Sequence, residues 1–156
     1  MTDRQSFDLI LPDAEATQRL ARHTAGKANS GDLIFLSGPV GAGKTEFARA
    51  FIRSVAGADI DVPSPSYALI QPYELGAQNI LHVDLYRLAD TSEITELGLD
   101  DYFGDYTTLI EWPERAGTSL PDPDLHIRLS VLPEGRSATL TAPTSRFLMQ
   151  DHTADA

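Results

Sequence analysis

Apolar and polar positions change their period several times along the chain, and each change predicts an element. Residues 6–11 (SFDLIL) read as a short strand that Pro12 stops. Asp13 is placed to cap a helix carrying Ala16, Leu20 and Ala21 on one face and ending near Gly26. After Gly31 and Asp32, the run LIFLS at 33–37 is short and apolar enough for a buried strand. Residues 44–56 (KTEFARAFIRSVA) set Phe47, Ala48, Phe51, Ile52 and Val55 at helical spacing, with Gly57 as the stop.

Pro63 and Pro65 then force an extended loop. Beyond it, YALIQPY (67–73) and ILHVD (80–84) predict an antiparallel hairpin turning around Glu74 to Asn79. SEITEL (92–97) predicts a short helix capped by Ser92 and ended by Gly98. TTLIEW (107–112) is a further strand, closed by Pro113. DLHIRLSVL (124–132) and SATLTA (137–142) are the last two strands, joined through Pro133-Glu134-Gly135-Arg136. From Pro143 the chain turns polar and is expected to fray. Strand–helix alternation followed by hairpins predicts an α/β fold with a mixed β-sheet flanked by helices. The expectation is a single domain over 1–142 with a flexible tail over 143–156.

Composition narrows the chemistry. At 156 residues the chain can bury one full core, and 42% hydrophobic with 22% charged residues is ordinary for a globular protein. No apolar run reaches the roughly 18–20 residues that cross a bilayer, and the first residues lack a basic flank before an apolar core. A cytoplasmic location is expected. With no cysteine, disulfides, thiolate zinc sites and cysteine nucleophiles are excluded together. A net charge of −11 disfavours independent capture of a phosphate backbone.

The strongest local signal is Gly38-Pro39-Val40-Gly41-Ala42-Gly43-Lys44-Thr45, which fits GxxxxGK[ST] between a strand and an amphipathic helix. Glycines let successive backbone N–H groups curl around an anion, and the helix start adds partial positive charge. Lys44 is predicted to reach the β- and γ-phosphates and Thr45 to offer its hydroxyl to Mg²⁺. The fold expected is therefore that of a P-loop NTPase.

Such a loop needs an acidic residue near the metal, and Asp84, ending ILHVD, has that place. The next residues are Leu85-Tyr86-Arg87, so no glutamate follows directly to activate water. Glu111 ends the following apolar strand and should reach the same sheet edge. Three roles stand open for it: orienting water, serving the metal, or capping the turn at Trp112-Pro113. Ser64 and Ser66 lie where nucleotide switches supply a hydroxyl to the metal and γ-phosphate, and they also suit an ordinary loop. Trp112 is either a core anchor or a nucleotide flank. His82, inside a strand pattern, reads as structural.

Together these motifs resemble the TsaE (YjeE) family of P-loop ATPases in tRNA threonylcarbamoyladenosine synthesis, over about Ser6 to Ala142. Four stretches in order carry the likeness: Gly38–Thr45, Ser64-Pro65-Ser66-Tyr67, His82-Val83-Asp84-Leu85-Tyr86-Arg87 and Glu111-Trp112-Pro113-Glu114. The resemblance implies weak, Mg²⁺-dependent ATPase activity in support of a threonylcarbamoyl transferase subunit and its paralogous partner, with tRNA engaged only through that complex. It implies that Lys44 and Thr45 bind phosphate and magnesium and that Asp84 serves the metal. It also gives Ser66 the switch-loop hydroxyl, while Glu111 and Trp112 complete the nucleotide site. The family commonly has Thr-Phe where this chain has Ser66-Tyr67, and a small hydroxylated residue where it has Glu46.

Two other functions compete. A small P-loop kinase needs extra cationic groups around the transferring phosphate, for which Arg87 and Arg115 are the placed candidates. A non-hydrolysing, ATP-gated binding module needs only the cradle. No NKxD motif supports a GTPase.

Overall fold

A computed structural model describes residues 4–65, 68–76 and 78–148. Seven strands form one sheet in the order β1-β7-β6-β2-β5-β4-β3. They are β1 (Gln5–Leu11), β2 (Leu33–Ser37), β3 (Ile70–Glu74), β4 (Asn79–Asp84), β5 (Thr107–Glu111), β6 (Leu125–Val131) and β7 (Arg136–Ala142). The four central strands, β6, β2, β5 and β4, are parallel, whereas β1 and β7 on one side and β3 on the other run antiparallel to their neighbours. The mixed sheet expected from the sequence is therefore the one observed.

Helix α1 (Ala14–Lys27) starts where Asp13 caps it, the Asp13 carboxylate accepting from the Ala16 N–H at 2.9 Å. Helix α2 (Lys44–Ala56) ends at Gly57, whose φ of 69° and N–H to the Arg53 carbonyl form a left-handed cap. Both helices cover the same face. There Leu20, Phe47, Phe51 and Ile52 pack with Ile34, Leu36, Leu109 and Ile127 of the sheet. A smaller core on the opposite face joins Leu33, Leu81, Val83 and Ile110 to Leu88, Ile94, Leu99 and Ala116. The helix that supplies Ile94, α3 (Glu93–Leu97), is only five residues long.

Alternation on the central strands assigns residues to faces. On β4, Leu81 and Val83 enter the smaller core while Ile80 enters the α1/α2 side, which puts His82 and Asp84 on the α2 face with Ile80. On β5, Ile110 and Leu109 divide in the same way, so Glu111 shares Leu109's face. No described helix is long and apolar enough to cross a membrane.

Two expectations need correction. Ser92 precedes α3 but makes no side-chain cap; the Glu93 carboxylate instead accepts from the N–H groups of Ala89 and Asp90, each at 2.9 Å. The stretch expected to fray from Pro143 is docked as far as Leu148. Phe147 is only 1% exposed in the α1/α2 core, and Arg146 donates to both Asp32 carboxylate oxygens at 2.5 and 3.0 Å. One aromatic and one bidentate arginine anchor an otherwise polar segment, which a composition average does not reveal.

Candidate nucleotide site

The loop from Gly38 to Gly43 joins β2 to α2, so the N-terminus of a buried amphipathic helix points at the cleft. Gly38 has a φ of +143°, and a Cβ there would collide with the Leu129 carbonyl oxygen of β6. The first glycine thus seats the loop on the neighbouring strand. Gly41, by contrast, has a φ of +86° and open space beside it. Its requirement is backbone conformation alone.

Lys44 and Thr45 open α2 and face different partners. The Lys44 ammonium donates to the carbonyls of Gly38 at 2.6 Å and Pro39 at 3.0 Å. Burial pushes its pKa below the ordinary lysine value, against the opposing pull of the Glu111, Glu114 and Asp84 carboxylates. Thr45 Oγ1 donates to Glu111 Oε1 at 2.7 Å. The second oxygen of Glu111 lies 2.7 Å from His82 Nε2, in a pair where His82 is 0% and Glu111 1% exposed. Asp84, 4% exposed, stands opposite Glu111 in the β4–β5 register and accepts from the Tyr86 N–H at 3.0 Å.

Lys44, Thr45, Asp84 and Glu111 share a cleft of about 460 Å³, lined also by Val40, Gly41, Ser64, Arg87 and Trp112. A larger concavity of about 640 Å³ lies elsewhere, between α1 and α2, and holds none of the phosphate-loop glycines. Trp112 leaves β5 with φ 60° and ψ 48°, a left-handed conformation that is costly for a bulky residue. The turn brings the indole to Lys44, whose Nζ lies 4.2 Å from the ring centroid. The indole also lies 5.0 Å from the Tyr86 ring, centre to centre, and Arg115 lies 5.8 Å from its centroid.

The structure therefore gathers Lys44, Thr45, Asp84, Glu111 and Trp112 around one cleft with Val40, Gly41 and Gly43, while Gly38, Pro39 and Ala42 complete the loop behind them. Ser66 lies outside the described residues; Ser64, close before it, lines the cleft. Sequence reasoning set His82 aside as structural. The overlooked signal was its position two residues before Asp84, which puts both side chains on one face of a strand. Tyr86 was likewise not singled out as the ring that backs Trp112.

The oxygens of Thr45, Asp84 and Glu111 are hard donors of the kind Mg²⁺ accepts. Among the described residues no three His, Asp or Glu side chains form a cage for a metal. Hydroxyl-plus-carboxylate sites of this kind share the cation with substrate phosphates and water, and the donor set fits that pattern.

The family model for threonylcarbamoyl adenosine biosynthesis protein TsaE matches residues 11–138. The chain belongs to the TsaE family. Among curated TsaE proteins, that of Rickettsia felis is 38% identical over 128 residues, covering 82% of this chain and 75% of that protein. That of Bacillus subtilis is 37% identical over 137 residues, covering 86% and 85% respectively. Both are named as tRNA threonylcarbamoyladenosine biosynthesis proteins. The crystal structure of Bacillus subtilis YdiB superposes with a TM-score of 0.74 at 30% identity, covering 99% of this chain and 96% of the other. The TsaE match spans the phosphate loop, Asp84 and Glu111, so the whole cleft lies inside the family region.

Proposed function

We propose that this TsaE-family chain is an ATP-binding and hydrolysing accessory protein of tRNA threonylcarbamoyladenosine biosynthesis. The observation that carries this reading is the convergence of Lys44, Thr45, Asp84 and Glu111 on one cleft at a helix N-terminus.

In this reading the N–H groups of the loop and the Lys44 ammonium hold the triphosphate. Lys44 exchanges the Gly38 and Pro39 carbonyls for phosphate oxygens, which are stronger acceptors for a cation. Thr45, Asp84 and Glu111 would hold Mg²⁺, which when bound neutralises charge on the phosphates. Glu111 has both oxygens engaged, by Thr45 and His82, so its carboxylate plane is set before substrate arrives. From that fixed plane it orients the attacking water. Trp112 screens Lys44 from solvent on one side.

The acidic surface suits a protein-directed role. The partners in this reading are the threonylcarbamoyl transferase subunit and its paralogous subunit, in the cytoplasm, with tRNA reached through them. Hydrolysis would alter the Ser64–Tyr67 loop and its fit to those subunits. Arg115, one of two arginines that a kinase reading needs, packs against the Tyr86 and Trp112 rings.

The test is ATP turnover by the purified chain, alone and with the two transferase subunits, beside Lys44→Ala. Turnover that rises with the partners and vanishes in Lys44→Ala is the expected result. ATP binding without phosphate release under any condition would replace hydrolysis with a nucleotide-gated binding module. Phosphate appearing on a small-molecule acceptor would favour a kinase.

A further inference from the structure

His82 occupies an unusual place for an imidazole. On β4 it stands on the α2 face between Ile80 and Asp84, fully buried, where strand alternation calls for an apolar side chain. Its Nδ1 is buried with no hydrogen-bond partner among the described residues. A half-satisfied buried imidazole costs stability relative to an apolar residue of similar size. Packing alone therefore gives no reason for this side chain.

Its one polar contact supplies the reason. Nε2 lies 2.7 Å from Glu111 Oε2. A carboxylate can only accept, so Nε2 is the donor in this contact. The other carboxylate oxygen, Oε1, accepts from Thr45 Oγ1 at 2.7 Å. Two donors, one on each oxygen, fix both the position and the plane of the Glu111 carboxylate. The chain His82–Glu111–Thr45 thus runs from the middle of β4, across the end of β5, to the first turn of α2.

We propose that His82 is a positioning residue for Glu111, setting the orientation on which turnover depends while leaving ATP capture to the phosphate loop. The proposal rests on the reading of this cleft as an ATPase site. It separates two properties of the cleft. The loop carbonyls, Lys44 and Trp112 make no direct described contact with His82, so ATP affinity measured without Mg²⁺ should be insensitive to it. Glu111 depends on it for one of its two donors, so the chemical step should be sensitive. A purely structural histidine would change neither property beyond its effect on folding.

The experiment compares the full chain carrying His82→Leu, which removes the donor, with His82→Gln, whose amide nitrogen reaches about as far as Nε2. ATP affinity is read without Mg²⁺ from the fluorescence of Trp112, the single tryptophan, and kcat from phosphate release with Mg²⁺ and the transferase subunits present. The expected result is a Kd within about twofold of the parent for both variants, kcat at least tenfold lower in His82→Leu, and substantial recovery in His82→Gln. A kcat for His82→Leu within twofold of the parent overturns the proposal, as does equal loss in the leucine and glutamine variants. If His82→Leu fails to fold, His82→Asn takes its place, because its shorter amide stops near the level of Nδ1.

A parent chain that releases no phosphate would defeat the ATPase reading without deciding the role of His82. Crystal structures of the parent and the donor-less variant then decide it. Loss of the 2.7 Å Thr45–Glu111 contact in the variant supports the positioning role, and its retention overturns it.

Discussion

Lys44 Nζ lies 4.2 Å from the centre of the Trp112 ring while donating to the carbonyls of Gly38 and Pro39 at 2.6 and 3.0 Å. Loop and indole thus hold the ammonium together before any phosphate is present. Replacing Lys44 by alanine removes the charge that would meet the phosphates, and ATP affinity should fall at least about tenfold. Because the ammonium is partly desolvated, the thermal midpoint should change little. Calorimetric titration and a melting curve on the same sample check both statements.

Thr45→Val keeps the shape of the first turn of α2 and leaves Glu111 Oε1 without its donor. A buried carboxylate oxygen so deprived should cost about 1–3 kcal/mol of stability. Thr45→Ser should restore it, because the hydroxyl is retained. The gain in ATP affinity on adding Mg²⁺ should disappear in the valine variant and persist in the serine variant. Denaturant titrations and binding isotherms with and without the cation read these outcomes.

Two glycines of the same loop should respond differently to alanine. At Gly38 the added methyl meets the Leu129 carbonyl, which belongs to a central strand and cannot retreat. The expected loss is about 2–4 kcal/mol, with nucleotide binding lost as the loop is displaced. At Gly41 the methyl enters open space, and the cost is the positive φ alone, about 1–2 kcal/mol.

His126 makes stability depend on pH. Its Nε2 lies 2.7 Å from Ser37 Oγ and its ring packs edge-on to Phe35. Burial first, then Arg128 and Arg4, pushes its pKa down to about 4 from 6.5. The unfolded chain thus binds a proton near pH 6.5 that the native chain takes up only near pH 4. The stability associated with neutral His126 is full above pH 6.5 and is lost as the pH falls toward 4, by up to about 3 kcal/mol. In His126→Gln this component of acid sensitivity should be absent from the denaturation midpoints measured across that range.

Truncation after Ala142 should cost about 3–5 kcal/mol, the amount typical of deleting a buried phenylalanine. Phe147→Ala in the intact chain should account for most of that loss. A double-mutant cycle on Arg146 and Asp32 should give a coupling of about 1–3 kcal/mol.

Local rules made much of the frame legible. LIFLS and KTEFARAFIRSVA coincide with β2 and α2, because a short apolar run beside a glycine loop and a capped amphipathic stripe leave little choice. The phosphate loop, Asp84 and Glu111 could be placed because each ends or follows an apolar strand. What stayed hidden depends on contacts between distant segments. The donor on Glu111 comes from His82, 29 residues earlier, and that contact exists only because β4 and β5 pair in parallel. The left-handed turn at Trp112 has no marker in a residue type that rarely adopts it. Phe147 is one aromatic in a polar stretch, so its burial follows from the gap it fills, which no local average records.

Among the described residues β1 pairs only with β7, Gln5 lying opposite Ala142. Gly38 is seated against Leu129, although the whole phosphate loop is complete by Thr45. During synthesis on the ribosome, the phosphate-loop segment is therefore made early and waits for about half of the chain before it has a wall to rest on. A nascent chain stopped before β6 carries every residue of the loop but lacks the Leu129 wall on which Gly38 is seated. The shape of the phosphate loop thus depends on a strand made long after it.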